Sequence, residues 1–545
     1  MLGLMQNWPL TVDRILTHAK TWHGRREIVT RSVEGPIVRT TYAELHERAQ
    51  KVTNALLAMG VAPGDRVATL AWNTARHVEV WYAIMGMGAV CHTLNPRLFI
   101  EQLRYIINQV QDRIIFTDLT FLPIVMKLRA ETPSVEHVVV MTDRTHMAAV
   151  ADSGMLCFED LVDQHGADAR WGGFDEQTAA GLCYTSGTTG APKGVLYSHR
   201  SNVLHALVTL QKDVIGLSAR DVVLPIVPMY HANAWGLALS APAVGATLVM
   251  PGTKMDGASI LELIETEAVT FAAAVPTVWE MLLDHLRANG VRLTNLKRVL
   301  IGGAAAPESL VRAFRDEHGV AVSHAWGMTE TSPLGTLGAA TPELDALPPD
   351  ERLRELLKQG RVPFGVEMTL ADDAGASLPH DGRAAGRLKV RGAYVARGYF
   401  KGEGGDILDA DGYLDTGDVA TIDPLGFMQI TDRAKDLIKS GGEWISSIEI
   451  EDLVEDDPRV ALAAVIGVPD PKWEERPLLI VKLQAGERAT RDEILGVLQG
   501  RIARWWMPDE VVFVDEIPLG ATGKIDKKKL RELYGSSALA DSQRS

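Results

Sequence analysis

Tyr184-Thr-Ser-Gly-Thr-Thr-Gly-Ala-Pro-Lys-Gly-Val195 is the stretch from which the rest of the chain is read. Glycines let a backbone turn tightly and approach a phosphate, hydroxyls and amides donate hydrogen bonds, and a lysine brings mobile positive charge. Thr185, Ser186, Gly187, Thr188, Thr189 and Gly190, with Lys193 three positions further on, therefore predict a loop that holds a polyphosphate. The spacing is not the Walker arrangement, in which Gly-Lys-Ser/Thr follows four free positions. Here Pro192 separates Ala191 from Lys193, and Gly194 follows the lysine. The plain alternative is a polar turn between strands.

Around this loop, short β-rich runs alternate with helical patterns. Arg66–Trp72, Val269–Val275 and Arg298–Ile301 read as strands; Pro276 and Pro307 each open a helix in the first-turn position that proline tolerates. Strand, glycine turn and helix in repeated order indicate α/β layers with largely parallel sheets. Sites in such sheets gather beyond the carboxyl ends of strands. An acidic stretch from Thr341 to Gly360 reads as an exposed helical excursion. Near residue 431 a smaller α/β pattern begins, with strands at Val460–Ile466, Leu478–Leu483 and Val511–Val514, and a helix capped by Thr490 with Glu493 completing a capping box. The expected organisation is an N-terminal domain over 1–431, a hinge at 432–435 and a C-terminal domain over 436–545.

At 545 residues the chain exceeds what one core supports. A net charge of −15 argues against general affinity for nucleic acid, while leaving room for a local basic site. The run Lys527-Lys528-Lys529 is expected on a solvated helix face. Cys91, Cys157 and Cys183 have no metal-ligand spacing, and Cys183 reads as a small residue of a buried strand. Leu237–Met250, the best candidate for a membrane span, is interrupted by Pro242 and Gly245. The N-terminus lacks a basic segment followed by an apolar core, so a cytoplasmic protein is expected. The last ten residues are expected to be disordered.

Further segments join the loop. Trp326-Gly327-Met-Thr329-Glu330 sets a flat apolar ring, a hydroxyl and a carboxylate in five residues, suited to an adenine and to Mg²⁺, which takes one or two protein oxygens on a triphosphate. Tyr413-Leu-Asp-Thr-Gly-Asp418 offers a carboxylate for ribose hydroxyls at what reads otherwise as a hairpin turn. Asp432-Arg433-Ala-Lys435-Asp436-Leu-Ile-Lys439-Ser-Gly441-Gly442-Glu-Trp444 collects charges and a glycine pair at the domain junction, and Lys524 follows Gly523 on a late loop.

In this order the segments resemble the acyl-adenylate-forming superfamily of acyl-CoA synthetases, nonribosomal peptide adenylation domains and firefly luciferase. The likeness spans about Trp8 to Tyr534 and is strongest to bacterial medium- and long-chain fatty-acyl-CoA synthetases, through Val227–Trp235, Ile438–Ser447 and Pro471–Pro477. It implies a large domain of layered α/β sheets with a β-barrel-like subdomain, and a small mobile α+β domain. It also implies that Thr185–Gly190 and Lys193 embrace the β- and γ-phosphates, and that Thr185 and Glu330 bind Mg²⁺. Gly303, Ala304, Ala305, His324, Ala325 and Trp326 would line an adenine slot; Asp418 and Arg433 would hold the ribose. Lys524 would approach the α-phosphate, Lys435 would be the hinge, and Lys439 would meet phosphate or adenylate in one of two conformers. His231 would border the acyl carboxylate, with Trp235 as gate over an acyl tunnel and Ala232 among its small neighbours. Gly441, Gly442 and Trp444 would face pantetheine.

The implied reaction joins a carboxylic acid to CoA through an acyl-AMP, with ATP and Mg²⁺. Medium- or long-chain fatty acids lead; 3-methylthiopropanoate and an arylpropionic acid are alternatives, as are loading of a carrier protein and, from another class, a nucleotide sensor without catalysis. A homodimer is expected by analogy. For His324 the competing reading is a solvent-capped histidine at a strand end.

Overall fold

The computed structural model describes the whole chain except residues 2, 186–191, 434, 441–442, 521–523 and 536–545. The described residues form two compact units. One comprises residues up to 367 together with 391–414; the other takes 368–390 and everything from 415 on.

Two sheets organise the first unit. One runs Leu156–Cys157, His137–Val140, Ile114–Thr117, Arg66–Leu70, Val90–Thr93, Ala179–Tyr184, Gly194–Ser198. Its neighbours are parallel except the last pair. The other runs Leu334–Leu337, Ala321–Gly327, Arg298–Ile301, Phe271–Ala274, Val222–Pro225, Thr247–Met250, Glu27–Arg31, Ile37–Thr41, parallel except at its two ends. Such strands are buried on both faces and read as continuous apolar runs, as Arg298-Val-Leu-Ile301 does. The helix Pro276–Asn289 shows why the layers close: Trp279, Leu282, Leu283 and Leu286 recur at helical spacing and are all buried. Each such side chain contributes roughly 1.5–3 kcal/mol when fully buried. Pro307 stands one position earlier than expected, at the cap of Glu308–Arg312. The acidic excursion forms Pro342–Asp345 and Pro349–Leu357, each with one fully buried leucine, Leu344 and Leu353.

The second unit holds most of a four-stranded sheet, Val366–Ala371, Gly386–Gly392, Leu414–Ile422, Met428–Arg433. Its other sheet is built on the long antiparallel pair Val460–Asp470 and Glu474–Leu483, with Glu510–Phe513 parallel to the latter. The capping box of Thr490 and Glu493 is present.

One expectation is overturned. Lys527 does not lie on a solvated face: its ammonium pairs with Glu451 at 2.7 Å and donates to Ser447 Oγ at 2.5 Å, with both charged side chains only 10% exposed. A buried carboxylate demands a partner, and burial pushes Glu451 up to about 7 even beside that lysine. Lys528 and Lys529 are exposed, as expected. Among the described residues no helix is long and apolar enough to cross a membrane.

Candidate active site

The glycine–threonine loop joins two antiparallel strands rather than a strand and a helix. Its ends are closed by the pair Thr185–Lys193: the Thr185 amide donates to the Lys193 carbonyl at 2.9 Å, and the Lys193 amide donates to Thr185 Oγ1 at 3.3 Å. Ser186, Gly187, Thr188, Thr189 and Gly190 lie outside the described residues. Cys183, one residue before Tyr184, is wholly buried, and burial raises its thiol to about 11, which keeps it protonated and unreactive at neutral pH.

From Lys193 the contacts run on to Glu330. The Lys193 ammonium sits 4.9 Å from the centre of the Tyr399 ring, and the Tyr399 hydroxyl donates to Glu330 Oε1 at 2.6 Å. Glu330 lies in the one-turn helix Thr329–Thr331 and is buried. Its carbonyl accepts from the Ala396 amide at 2.8 Å, and the Thr329 carbonyl accepts from the Tyr197 hydroxyl at 2.8 Å. Lys193, whose backbone pairs with Thr185, and Glu330 thus both meet Tyr399, a residue on which sequence reading placed no role. A hydroxyl and a carboxylate are oxygen donors of the kind a hard cation takes, so this set fits Mg²⁺.

Parallel pairing of Arg298–Ile301 with Ala321–Gly327 puts Ile301 opposite His324. Gly302–Ala305 therefore leave the sheet beside Ala325–Gly327, which continue their own strand against Leu334–Leu337. Gly303, at φ +83°, and Ala304 are exposed there. Gly302 is needed for closeness, since a Cβ on it would come within 3.1 Å of the Trp235 ring. Trp326 packs against Gly335, where a Cβ would stand 2.3 Å from the ring. His324 is not solvent-capped. It is 1% exposed, with Nδ1 2.8 Å from the Leu357 carbonyl and Nε2 3.2 Å from that of Ala304. Burial lowers its pKa against those two contacts, and since a neutral imidazole carries one N–H, the neutral ring donates to only one of the two carbonyls.

His231 begins a left-handed turn in which Ala232, Asn233, Ala234 and Trp235 all have φ between +42° and +55°. Non-glycine residues avoid this region at roughly 1–2 kcal/mol each, and such strain clusters at ligand clamps. Asn73 holds the approach to it: its amide donates to the carbonyls of Pro225 (2.7 Å) and Val227 (2.9 Å), and its Oδ1 accepts from the Met229 amide (2.7 Å). Asn73 comes from the far sheet, with nothing in its neighbourhood to mark it in the sequence.

In the second unit Asp418 lies inside the strand Leu414–Ile422, not in a turn, and is paired in register with Arg433. Their side chains meet at 2.8 Å, with Asp418 3% exposed. Lys524 leaves the bridge Leu519–Ile525, its carbonyl accepting from the Gly520 amide at 2.7 Å. It keeps exposed surface, yet the protein around its ammonium disfavours the charged form. That desolvation, together with the positive charges of Arg433 and Lys435 and against the carboxylate of Asp418, lowers it to about 8. Lys435 is exposed, its carbonyl accepting from Arg531. Lys439 is exposed on the strand Ile438–Ser440, in register with Trp444. Gly441, Gly442 and the Trp444 side chain fall outside the described residues. A separate polar cleft of about 580 Å³, lined by Glu34, Arg48, Arg76, Glu79 and Glu159, contains none of these groups.

Residues 16–400 match the AMP-binding enzyme family, and 449–524 match the AMP-binding enzyme C-terminal domain. The chain is 49% identical over 534 residues to the 3-methylmercaptopropionyl-CoA ligase of Ruegeria lacuscaerulensis, covering 98% of this chain and 99% of the other. It is 48% identical to a medium-chain-fatty-acid–CoA ligase of Ectopseudomonas oleovorans, covering 99% of each. Among solved structures, the anthranilate CoA ligase AuaEII with anthranoyl-AMP superposes with a TM-score of 0.86 at 25% identity, over 98% of this chain and 100% of that one.

Proposed function

Because the chain belongs to the AMP-binding enzyme family through both of that family's parts, we propose that it is an ATP-dependent acid–CoA ligase acting on medium- or long-chain fatty acids. The carrying observation is near-complete coverage, at about half identity, by two enzymes that each join an acid to CoA. The acid carboxylate attacks the α-phosphate of ATP and pyrophosphate leaves; the CoA thiol then attacks the acyl carbonyl and AMP leaves. Mg²⁺ would supply positive charge to the phosphates from Thr185 and Glu330.

The chain's own residues divide the remaining work. Lys193 and the loop from Thr185 to Gly190 hold the β- and γ-phosphates, and Gly303–Ala305 with Ala325–Trp326 take the adenine. Asp418 with Arg433 takes the ribose, Lys524 the α-phosphate and acid carboxylate, and His231 the carboxylate's rim. Like charges repel as the carboxylate approaches, so fixed cations lower that barrier without a covalent enzyme nucleophile. Lys524 must then give way to pantetheine. That exchange motivates a hinge at Lys435, with Lys439 and the Gly441–Trp444 segment serving the second half-reaction. The reading includes a homodimer, which sedimentation would read directly, and its two nucleotide co-substrates suit a cytoplasmic location.

Incubation with ATP, CoA and a panel of acids, with AMP release measured, tests the reading. No turnover with any aliphatic acid of six or more carbons removes the fatty-acid version. Turnover of 3-methylthiopropanoate in its place establishes the second reading, favoured by the 49% relative; arylpropionic acids belong in the panel. Acyl-AMP that free CoA fails to discharge would point to carrier loading instead.

Two further results are expected. Trp235→Ala widens the acyl-chain profile, changing relative kcat/KM among chain lengths by about 10-fold while the KM for ATP stays within about twofold. An unchanged profile would remove Trp235 as the gate. Pyrophosphate exchange should also fall on the alkaline side with an apparent pKa near 8, because Lys524 loses its proton as pH rises through that value. Lys524→Arg, charged throughout, should remove that limb from whatever activity remains. A limb that persists in this variant assigns the titration to another group.

A further inference from the structure

We propose that Tyr399 is a positioning residue that sets the Glu330 carboxylate and the Lys193 ammonium in place before nucleotide arrives, its hydroxyl orienting one and its ring face carrying the other. The inference rests on the phosphate and metal roles given above to those two residues. Tyr399 enters from the segment 393–405, in a stretch, Arg397-Gly-Tyr-Phe-Lys-Gly402, to which no chemistry was assigned from sequence. That segment grips the Glu330 turn twice, by the Ala396 amide on the Glu330 carbonyl at 2.8 Å and by the Tyr399 hydroxyl on Oε1 at 2.6 Å. A carboxylate offers about four lone-pair directions, so one hydrogen bond orients it without exhausting its power to bind a cation. Carboxylates that ligate metals are commonly held by such a second partner.

Over the face of the Tyr399 ring lies Lys193. Its ammonium lies 4.9 Å from the Tyr399 ring centre, within the range of a cation–π contact. Gly404 gives it room: at φ +76° that residue takes a conformation suited to glycine, and a Cβ there would stand 3.2 Å from Nζ. The ring itself is seated by packing, Tyr399 and Ala396 lying against Cys183, Val195 and Tyr197 beneath the two strands that carry the phosphate loop. One side chain thus touches both the cation and the carboxylate assigned to the triphosphate. A phenol is neutral at working pH, so it orders both groups without adding a charge that the nucleotide would have to overcome.

Full-length Tyr399→Phe and Tyr399→Leu separate the two contacts, since phenylalanine keeps the ring and loses only the hydroxyl. Mn²⁺ binding to the protein–ATP complex is read by electron paramagnetic resonance, and ATP binding in EDTA by calorimetry. With the hydroxyl gone, Mn²⁺ affinity is expected to fall about 10-fold, the size of a hydrogen bond to a charged group, with metal-free ATP binding within about twofold. The leucine variant should show the same metal loss and a further loss of about 3- to 5-fold in metal-free ATP affinity, the size of an exposed cation–π contact. Wild-type Mn²⁺ affinity in Tyr399→Phe overturns the proposal, and so does a phenylalanine variant as weak as leucine for metal-free ATP. If leucine prevents folding, the phenylalanine result alone decides. Acid-dependent pyrophosphate exchange by the unaltered protein alongside an unmoved Phe variant sinks this inference only. Absent exchange with any acid, alongside intact Mn²⁺–ATP binding, sinks the functional reading instead.

Discussion

Lys524→Ala is expected to lower acid-dependent ATP–pyrophosphate exchange by about 10²–10³-fold or more, the scale of removing one preorganised charge from a developing anionic transition state. Conversion of supplied acyl-AMP and CoA to thioester should stay within a few-fold of the unaltered protein. The reason lies in how this lysine is held. The helix Lys527–Tyr534 is fixed to its own unit by the buried Lys527–Glu451 pair and by Leu530, and Asp526 caps it through the Lys529 amide. Lys524 projects from the bridge just before that anchor, so alanine removes a charge without loosening the anchor. Stopped-flow measurement of each half-reaction checks the outcome. Equal loss in both halves would mean that Lys524 does not serve adenylation alone.

Glu330→Gln should cost about 10²-fold in kcat at fixed Mg²⁺, partly recovered by raising Mg²⁺, while ATP binding in EDTA changes by less than about twofold. Glutamine keeps the volume, and its oxygen still accepts from the Tyr399 hydroxyl, so the turn Thr329–Thr331 is preserved and only the charge is lost. A magnesium titration of pyrophosphate exchange reads the effect. A glutamine variant with the original magnesium dependence would take Glu330 out of the metal site and leave Thr185 without its expected companion.

Much of this site was legible before any geometry, because its parts are local. A run of glycines and hydroxyls ending in a lysine implies its chemistry from adjacent residues alone, as does a proline at the start of Pro276–Asn289. Asp418 was legible as a carboxylate, but its reading as a turn residue fails: the strand continues through it, and the pairing with Arg433 comes from register across the sheet. Lys527 was misread because three consecutive lysines look alike in a row, whereas helical rotation turns one toward Glu451 and two toward water. His324 shows the same limit. Its partners, Leu357 and Ala304, are 33 and 20 positions away.

Asn73 and Tyr399 could be found only in three dimensions. Asn73 holds backbone more than 150 positions away, and Tyr399 reaches Glu330 across 69 positions. Residue order dictates which groups are available and which turns the backbone can make, since those depend on neighbours within a few bonds. Which charge faces which carboxylate depends on sheet order and crossover packing, and there long separations along the chain collapse to a few ångströms.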